Sequence, residues 1–292
     1  MTVRGVICCL AVACLAVSTT AALAGWNNAD GKYARGNRLL AKGDFEGAYQ
    51  AYRLAVQAQP YNPKYQTRAR LVQRMITMRE TLEQAEDSEQ WFEAAQKLHT
   101  LYHDNGIHSE ALALALKAHA KKASPESLAM LARTRLAIGQ NIDAAEALRE
   151  LSGEQATAEI RVLMGIALAR QGQTSPAQKL LKSAEPPRTP SNQFLFDAAR
   201  LHALVGSQND ALKMLTRSFE KSPPSQLDSM KTRAQQSEDF AKLRHNPGFA
   251  QALATKSKVP EPSYYKKIYG NRRGYRKHSR HEFRERERSI RP

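Results

Sequence analysis

A chain of 292 residues with a formal charge of +16 can hold two ordinary domains or one elongated array. Aromatics make up 7%, and long alternating runs rich in Val, Ile and Thr are missing, which excludes a sheet-built fold and predicts an all-α one. All three cysteines, Cys8, Cys9 and Cys14, lie in the N-terminal apolar run, so removal of that run excludes disulfides, Cys-based metal sites and a Cys nucleophile.

Residues 1–24 have the layout of a secretory signal. Arg4 supplies the positive start, Val6 to Val17 the apolar segment, and Ala22-Leu23-Ala24 an A-x-A cleavage site before Gly25. Two other readings of the same stretch are an uncleaved membrane anchor over Gly5 to Leu23 and a lipidated Cys14. Under each of them the body is predicted to be exported, to the periplasm or beyond.

A short phrase then recurs. It is clearest at Gly43-Asp44-Phe45-Glu46-Gly47-Ala48, and a Gly followed five residues later by Ala returns at Gly106/Ala111, Gly139/Ala144, Gly172/Ala177 and Gly206/Ala211. Successive Ala residues are 63, 33, 33 and 34 apart. A period of about 34 residues marks a helix–turn–helix repeat array, a solenoid that presents a surface.

The first unit, over residues 29–62, is the best written. Two helices of about 14 residues fit on either side of the Gly43 turn, with apolar or small residues at three- and four-residue spacing. Gly36 and Ala48 let the two backbones approach, Leu39 and Tyr52 fill the space beside them, and Pro60 and Pro63 stop the second helix. With Gly36, Gly43, Phe45, Ala48, Tyr52, Ala55 and Pro60 in these places, the unit resembles a tetratricopeptide repeat (TPR). Degenerate copies follow near 92–124, 125–157, 158–190 and 192–225, so the resemblance covers about residues 29–225. It implies a right-handed superhelix of hairpins whose first helices form a concave surface that holds an extended peptide or a partner helix.

Between Ala48 and Ala111 the phase slips. Lys64 to Ala85 is predicted as one long helix with Leu71, Met75, Met78 and Leu82 along one face, and the helix near 90–104 fits either half of a hairpin. A special partner contact is expected at this junction. After Pro223-Pro224 the period fades. Residues 226–255, with Leu227, Met230, Phe240, Leu243, Pro247, Phe249 and Leu253, are predicted as two or three short helices that cap an array spanning 25–225. Residues 256–292 carry thirteen Lys/Arg against four Glu and too few aliphatics for a core, which predicts a disordered basic tail.

Candidate chemistry is sparse. The resemblance implies that a carboxylate clamp, where one exists, grips an acidic chain end with Lys, Arg and Asn on the first helices. Here Asn37 matches one clamp position, Tyr33 stands where a Lys would, and Ala129, Val162 and Ile166 fall on the equivalent face later on. Arg133 and Arg200 on first helices are candidate contacts for an acidic partner, or simply solvated charges. His99 and His103, four apart and with His108 past the turn, would share a helix face as two metal ligands must, but no Cys is near and no Glu sits between them; no metal and no cofactor is predicted. Without a nucleophile elbow, a Gly-rich phosphate loop or paired catalytic carboxylates, the chain is not read as an enzyme. In the tail, Tyr264, Tyr265, Tyr269 and Tyr275 interleave with Lys266, Lys267, Arg272, Arg273, Arg276 and Lys277, a pattern suited to phosphate-rich or other anionic surfaces: nucleic acid, a membrane surface, an envelope polymer or an acidic protein face. The expectation is therefore an exported, non-enzymatic scaffold for a protein partner, with a tail that adds electrostatic contacts. The alternative makes the tail the primary binder and the repeats a rigid stalk.

Overall fold

The computed structural model describes residues 28–85, 90–151 and 156–260; the stretch expected to be a secretory signal and the residues from Glu261 onward lie outside these. By their contacts the residues fall into two compact units divided between Glu150 and Leu151. Among the described residues regular structure is entirely helical, as the composition predicts.

The first unit holds α1 (Ala29–Ala41), α2 (Phe45–Ala58), α3 (Pro63–Gln84), α4 (Gln90–Asp104), α5 (His108–Lys121), α6 (Pro125–Ala137) and α7 (Asn141–Arg149), each packed on the next in sequence. The second holds α8 (Ala158–Arg170), α9 (Thr174–Ser183), α10 (Asn192–Leu204), α11 (Gln208–Lys221), α12 (Pro224–Gln236), a 3₁₀ turn over Glu238–Leu243 and α13 (Pro247–Ala254). There α10 packs on α8, α9, α11 and the 3₁₀ turn, and α11 on α13.

The recurring glycines explain the hairpins. Gly43, Gly106, Gly139, Gly172 and Gly206 all have φ between 73° and 90°, a left-handed conformation that disfavours any side chain. After each, the next residue's N–H donates to a carbonyl five residues back: Asp44 to Leu39 (3.0 Å), Ile107 to Tyr102 (2.9 Å), Gln140 to Arg135 (2.8 Å), Gln173 to Leu168 (2.9 Å) and Ser207 to His202 (2.8 Å). This pattern satisfies the last carbonyls of one helix while the chain reverses into the next. The Ala five residues after each Gly is fully buried at the helix crossing.

Starts are capped as firmly. Asp44 Oδ1 accepts from Gly47 N–H (2.8 Å), and Ser124 makes a capping box with Ser127. Pro60 lies past the end of α2, but Pro63 does not stop that helix. It sits in the first turn of α3, where a missing N–H costs nothing.

α3 is the expected long helix, but its buried face is Tyr65, Ala69, Val72, Met75 and Leu82; Leu71 and Met78 are only half-buried. α4 resolves the ambiguity at 90–104: it is the first helix of the hairpin that turns at Gly106 into α5. The caps after Pro223 gather on Phe240, which meets Phe196 edge-on at 5.7 Å and Phe249 at 6.1 Å, with Leu215, Phe219 and Met230 buried in the same cluster. Beyond Thr255, Lys258 N–H donates to Glu220 O of α11 (2.8 Å), and the remainder of the segment expected to be a basic tail, from Glu261 on, lies outside the described residues.

Candidate functional site

The side chains expected to line a groove separate into different fates. Tyr33 and Asn37 come together around Tyr52. The Tyr52 hydroxyl donates to Asn37 Oδ1 (2.7 Å), and Tyr33 lies between the Tyr52 and Tyr65 rings at 5.4 and 5.2 Å. The Lys64 ammonium sits 4.5 Å above the Tyr33 ring. Tyr65 in turn donates to Asp30 Oδ1 (2.6 Å), and that bond is the first cause of a phenol pKa raised to about 12. Asn37 stays exposed, so this cluster joins α1, α2 and α3 and also shows a polar edge to solvent.

Arg200 is not on an open face at all. It is 6% exposed, with Nη1 on Asp197 Oδ1 (3.0 Å) and Nε on Asp239 Oδ2 (2.7 Å). Asp239 also accepts from Arg170 through Nε (2.8 Å) and Nη2 (3.0 Å). Burial alone would raise the Asp239 carboxyl, but Arg200 and Arg170 outweigh it and hold the group below the usual carboxylate range. Burial would likewise lower Arg200, and Asp239 and Asp197 reverse that. This network ties α8, α10 and the 3₁₀ turn together, which replaces both expectations for Arg200, the partner contact and the solvated charge. Ala129, Val162 and Ile166 are also buried, not lining a face. Arg133 is half-buried on α6.

The histidine pair shares a face, but the face is interior. The His99 and His103 rings stack at 6.0 Å, and His103 meets His108 edge-on at 5.9 Å. The Thr134 hydroxyl donates to Met130 O (3.1 Å), which leaves its oxygen to accept from His99 Nε2–H (2.8 Å). Burial first, then His103 and Arg133, push the His99 pKa down to about 3. His99 is therefore a neutral linker of α4 to α6. Among the described residues no three or more metal-ligating side chains gather to hold an ion.

One concavity was not among the sequence candidates. A groove of about 360 Å³ runs between α2 and α3, lined by Tyr49, Arg53, Val56 and Gln57 from α2 and by Gln66, Ala69, Arg70 and Gln73 from α3. Its floor is apolar, at Val56 and the buried Ala69, and its walls are cationic or amide. The Arg53 guanidinium lies 5.9 Å from the Tyr49 ring, and Arg70 Nη2 donates to Gln66 Oε1 (3.3 Å). The surroundings are strongly basic. Residues 28–79 carry ten Lys/Arg against three Asp/Glu, and two of those acids are committed, Asp30 to Tyr65 and Asp44 to the α2 cap. The trace in the sequence was a gap: 34 residues after Ala48 stands Leu82 inside a helix, where the pattern asks for Ala after a turn. Lys266, Lys267, Arg272, Arg273, Arg276 and Lys277 lie outside the described residues.

No protein-family model matches the chain, and no curated protein matches it. Among solved structures it is similar to TTC0263, a thermophilic TPR protein of Thermus thermophilus, at 17% identity over 77% of this chain and 99% of that one, with a TM-score of 0.38. A tetratricopeptide repeat protein of Parabacteroides merdae is similar at 17% identity over 77% and 97%, with a TM-score of 0.38. MamA is similar at 18% identity over 68% and 96%, with a TM-score of 0.31.

Proposed function

We propose that this chain is an exported, non-enzymatic scaffold of helical hairpins that binds a protein partner, with the basic C-terminal segment adding a salt-sensitive second contact. The observation that carries the reading is how its ionisable groups are used. Where charged or catalytic side-chain types cluster inside, at Arg170/Arg200/Asp239 and at His99/Thr134, they bond to one another and join helices. What faces outward is a cationic surface with a groove, the equipment of recognition rather than turnover. Two linked weak contacts would raise avidity without new chemistry.

A second reading gives the leading role to the tail, whose interleaved Tyr and Lys/Arg suit an anionic envelope polymer or membrane surface. Partner capture by the chain starting at Gly25 separates the two when compared with the same chain ending at Pro260. That end point keeps the Lys258–Glu220 docking. Capture that survives truncation and 0.5 M salt (about a 4 Å screening length) supports the scaffold reading. Capture that vanishes on truncation, with binding to anionic vesicles or polymer retained only in the longer chain, replaces it with the tail reading.

A further inference from the structure

The α2/α3 groove has the position of a helix that the chain omits. In the first hairpin, Gly36 of α1 is covered by the Tyr52 ring of its own second helix, α2. One repeat length later, 34 residues on, stands Arg70 of α3. By that register Arg70 marks the face of α3 that a second helix would cover, and Arg70 instead lines the open groove. No such helix follows within α3's own repeat: α3 runs on to Gln84, and α4 opens a new hairpin at the Gly106 turn. α4 lies elsewhere: it meets α2 at Phe45, whose ring is 5.4 Å from that of Tyr102, and Asn105, just past its end, accepts from Arg68 Nη1 (2.8 Å), while Arg68 and Arg70 sit about 160° apart around a 3.6-residue helix and Phe45 is not among the groove residues. The 63-residue spacing between Ala48 and Ala111, where two repeats would need about 68, is the sequence record of this omission.

We infer that this seat is completed in trans by an amphipathic, acidic helix of a partner protein, packed across α2 and α3 as their missing neighbour. The inference deepens the scaffold reading above and rests on it. The chemistry of the seat selects the occupant. Val56 and Ala69 offer a narrow apolar floor that accepts small or aliphatic side chains, and about 360 Å³ holds a ridge of a few of them rather than a whole ligand. The cationic walls at Arg53 and Arg70 favour carboxylates on the flanks of the occupant's ridge. The excess of ten cations over three acids in residues 28–79 adds long-range attraction for an acidic helix. The same field repels this chain's own C-terminal segment, with thirteen Lys/Arg against four Glu from Lys256 on.

The test uses the full chain from Gly25 and two synthetic helical peptides of 18 residues that share one Ala/Leu ridge. One carries Glu on both flanks of the ridge; its twin carries Lys. Binding is read by fluorescence anisotropy, and the site by amide shifts in the isotope-labelled protein. The expected result is saturable binding of the Glu peptide only, with shifts centred on Val56 and Ala69. Arg53→Glu and Arg70→Glu, checked by circular dichroism for retained fold, should each weaken it at least fivefold, and Arg35→Glu on exposed α1 should not. Equal binding of both peptides, or shifts away from the groove, overturns the inference. So does a concentration-dependent dimer that Arg70→Glu disperses, since a second copy then fills the seat. So does a change in the Val56 and Ala69 shifts on truncation at Pro260, which would place the chain's own tail there. Partner capture that persists in Arg53→Glu/Arg70→Glu sinks this seat and leaves the scaffold reading standing, whereas loss of capture by the unaltered chain sinks the scaffold reading itself.

Discussion

The Tyr52 ring closes over Gly36 so tightly that a Cβ at Gly36 would lie 2.6 Å from Tyr52 Cε1. The ring cannot easily step aside. Its hydroxyl is bonded to Asn37 and its face is packed on Tyr33. Gly36→Ala gains up to about 1 kcal/mol of helix propensity but overpacks a fixed contact, and the overpacking is the larger effect. The expected outcome in urea unfolding is a net loss of about 1–2 kcal/mol. Adding Tyr52→Leu should make the pair less destabilised than the two single changes summed. A neutral Gly36→Ala would show that the ring is free to move.

Gly139 makes a useful contrast. Its φ is 81°, yet a Cβ there would meet nothing within 4 Å. Gly139→Ala should therefore cost about 1–2 kcal/mol through backbone strain alone. Denaturant melts should show that no second-site truncation of a neighbouring side chain relieves it, which separates conformational from steric cost in the same unit.

Asp239 carries two guanidinium groups. Asp239→Asn removes the carboxylate that Arg170 and Arg200 share and leaves Arg200 only Asp197, and a loss of about 3–5 kcal/mol is expected by chemical denaturation. Replacing all four members, Arg170, Arg200, Asp197 and Asp239, with Met or Leu should recover most of it, because apolar packing of similar volume often matches a buried ion network. Because the carboxyl's folded pKa is depressed, the network's stabilisation is present above about pH 4 and is lost as pH falls through the lower folded value.

His99 gives the first unit a distinct acid response. Its folded pKa of about 3 lies below the unfolded value near 6.5, so the unfolded chain binds one more proton between those limits. Stability from this residue is full above pH 6.5 and falls as pH drops toward 3, by roughly 2 kcal/mol at pH 5. Stability measured from pH 7 to 5 should show this slope, and His99→Gln should flatten it. An unchanged slope in the variant would assign the response elsewhere.

The hairpins were legible because turn and crossing obey local chemistry. Gly43 and its four counterparts must adopt positive φ, and Ala48 and its counterparts must be small. The buried face of α3 was half misread. A search for large aliphatics finds Leu71 and Met78 but passes over Tyr65, which is interior because it packs on Ala29 of α1 and Ala55 of α2, and the small Ala69 on the groove floor. Arg200 was opaque for another reason: its chief partner, Asp239, lies 39 residues away, and one exposed-looking charge on a helix carries no mark of that. The groove was harder still. Arg53, Gln57, Arg70 and Gln73 form no apolar stripe, so periodicity is silent, and only the broken spacing around Leu82 pointed to the place.

The bond from Arg68 to Asn105 spans 37 residues, whereas the Gly turns close between adjoining helices. Within the first unit, α3 therefore depends on chain made well after it, as the glycine hairpins do not. As the chain emerges from its N-terminus, α1 and α2 can close at once, but α3 waits for all of α4 to be made before its far flank is covered. For that interval Met75 and Leu82, buried in the finished unit, lack part of their cover. A holding chaperone acting during synthesis would find its exposed segment there, and substitutions that shorten the delay should raise yield without altering the finished fold.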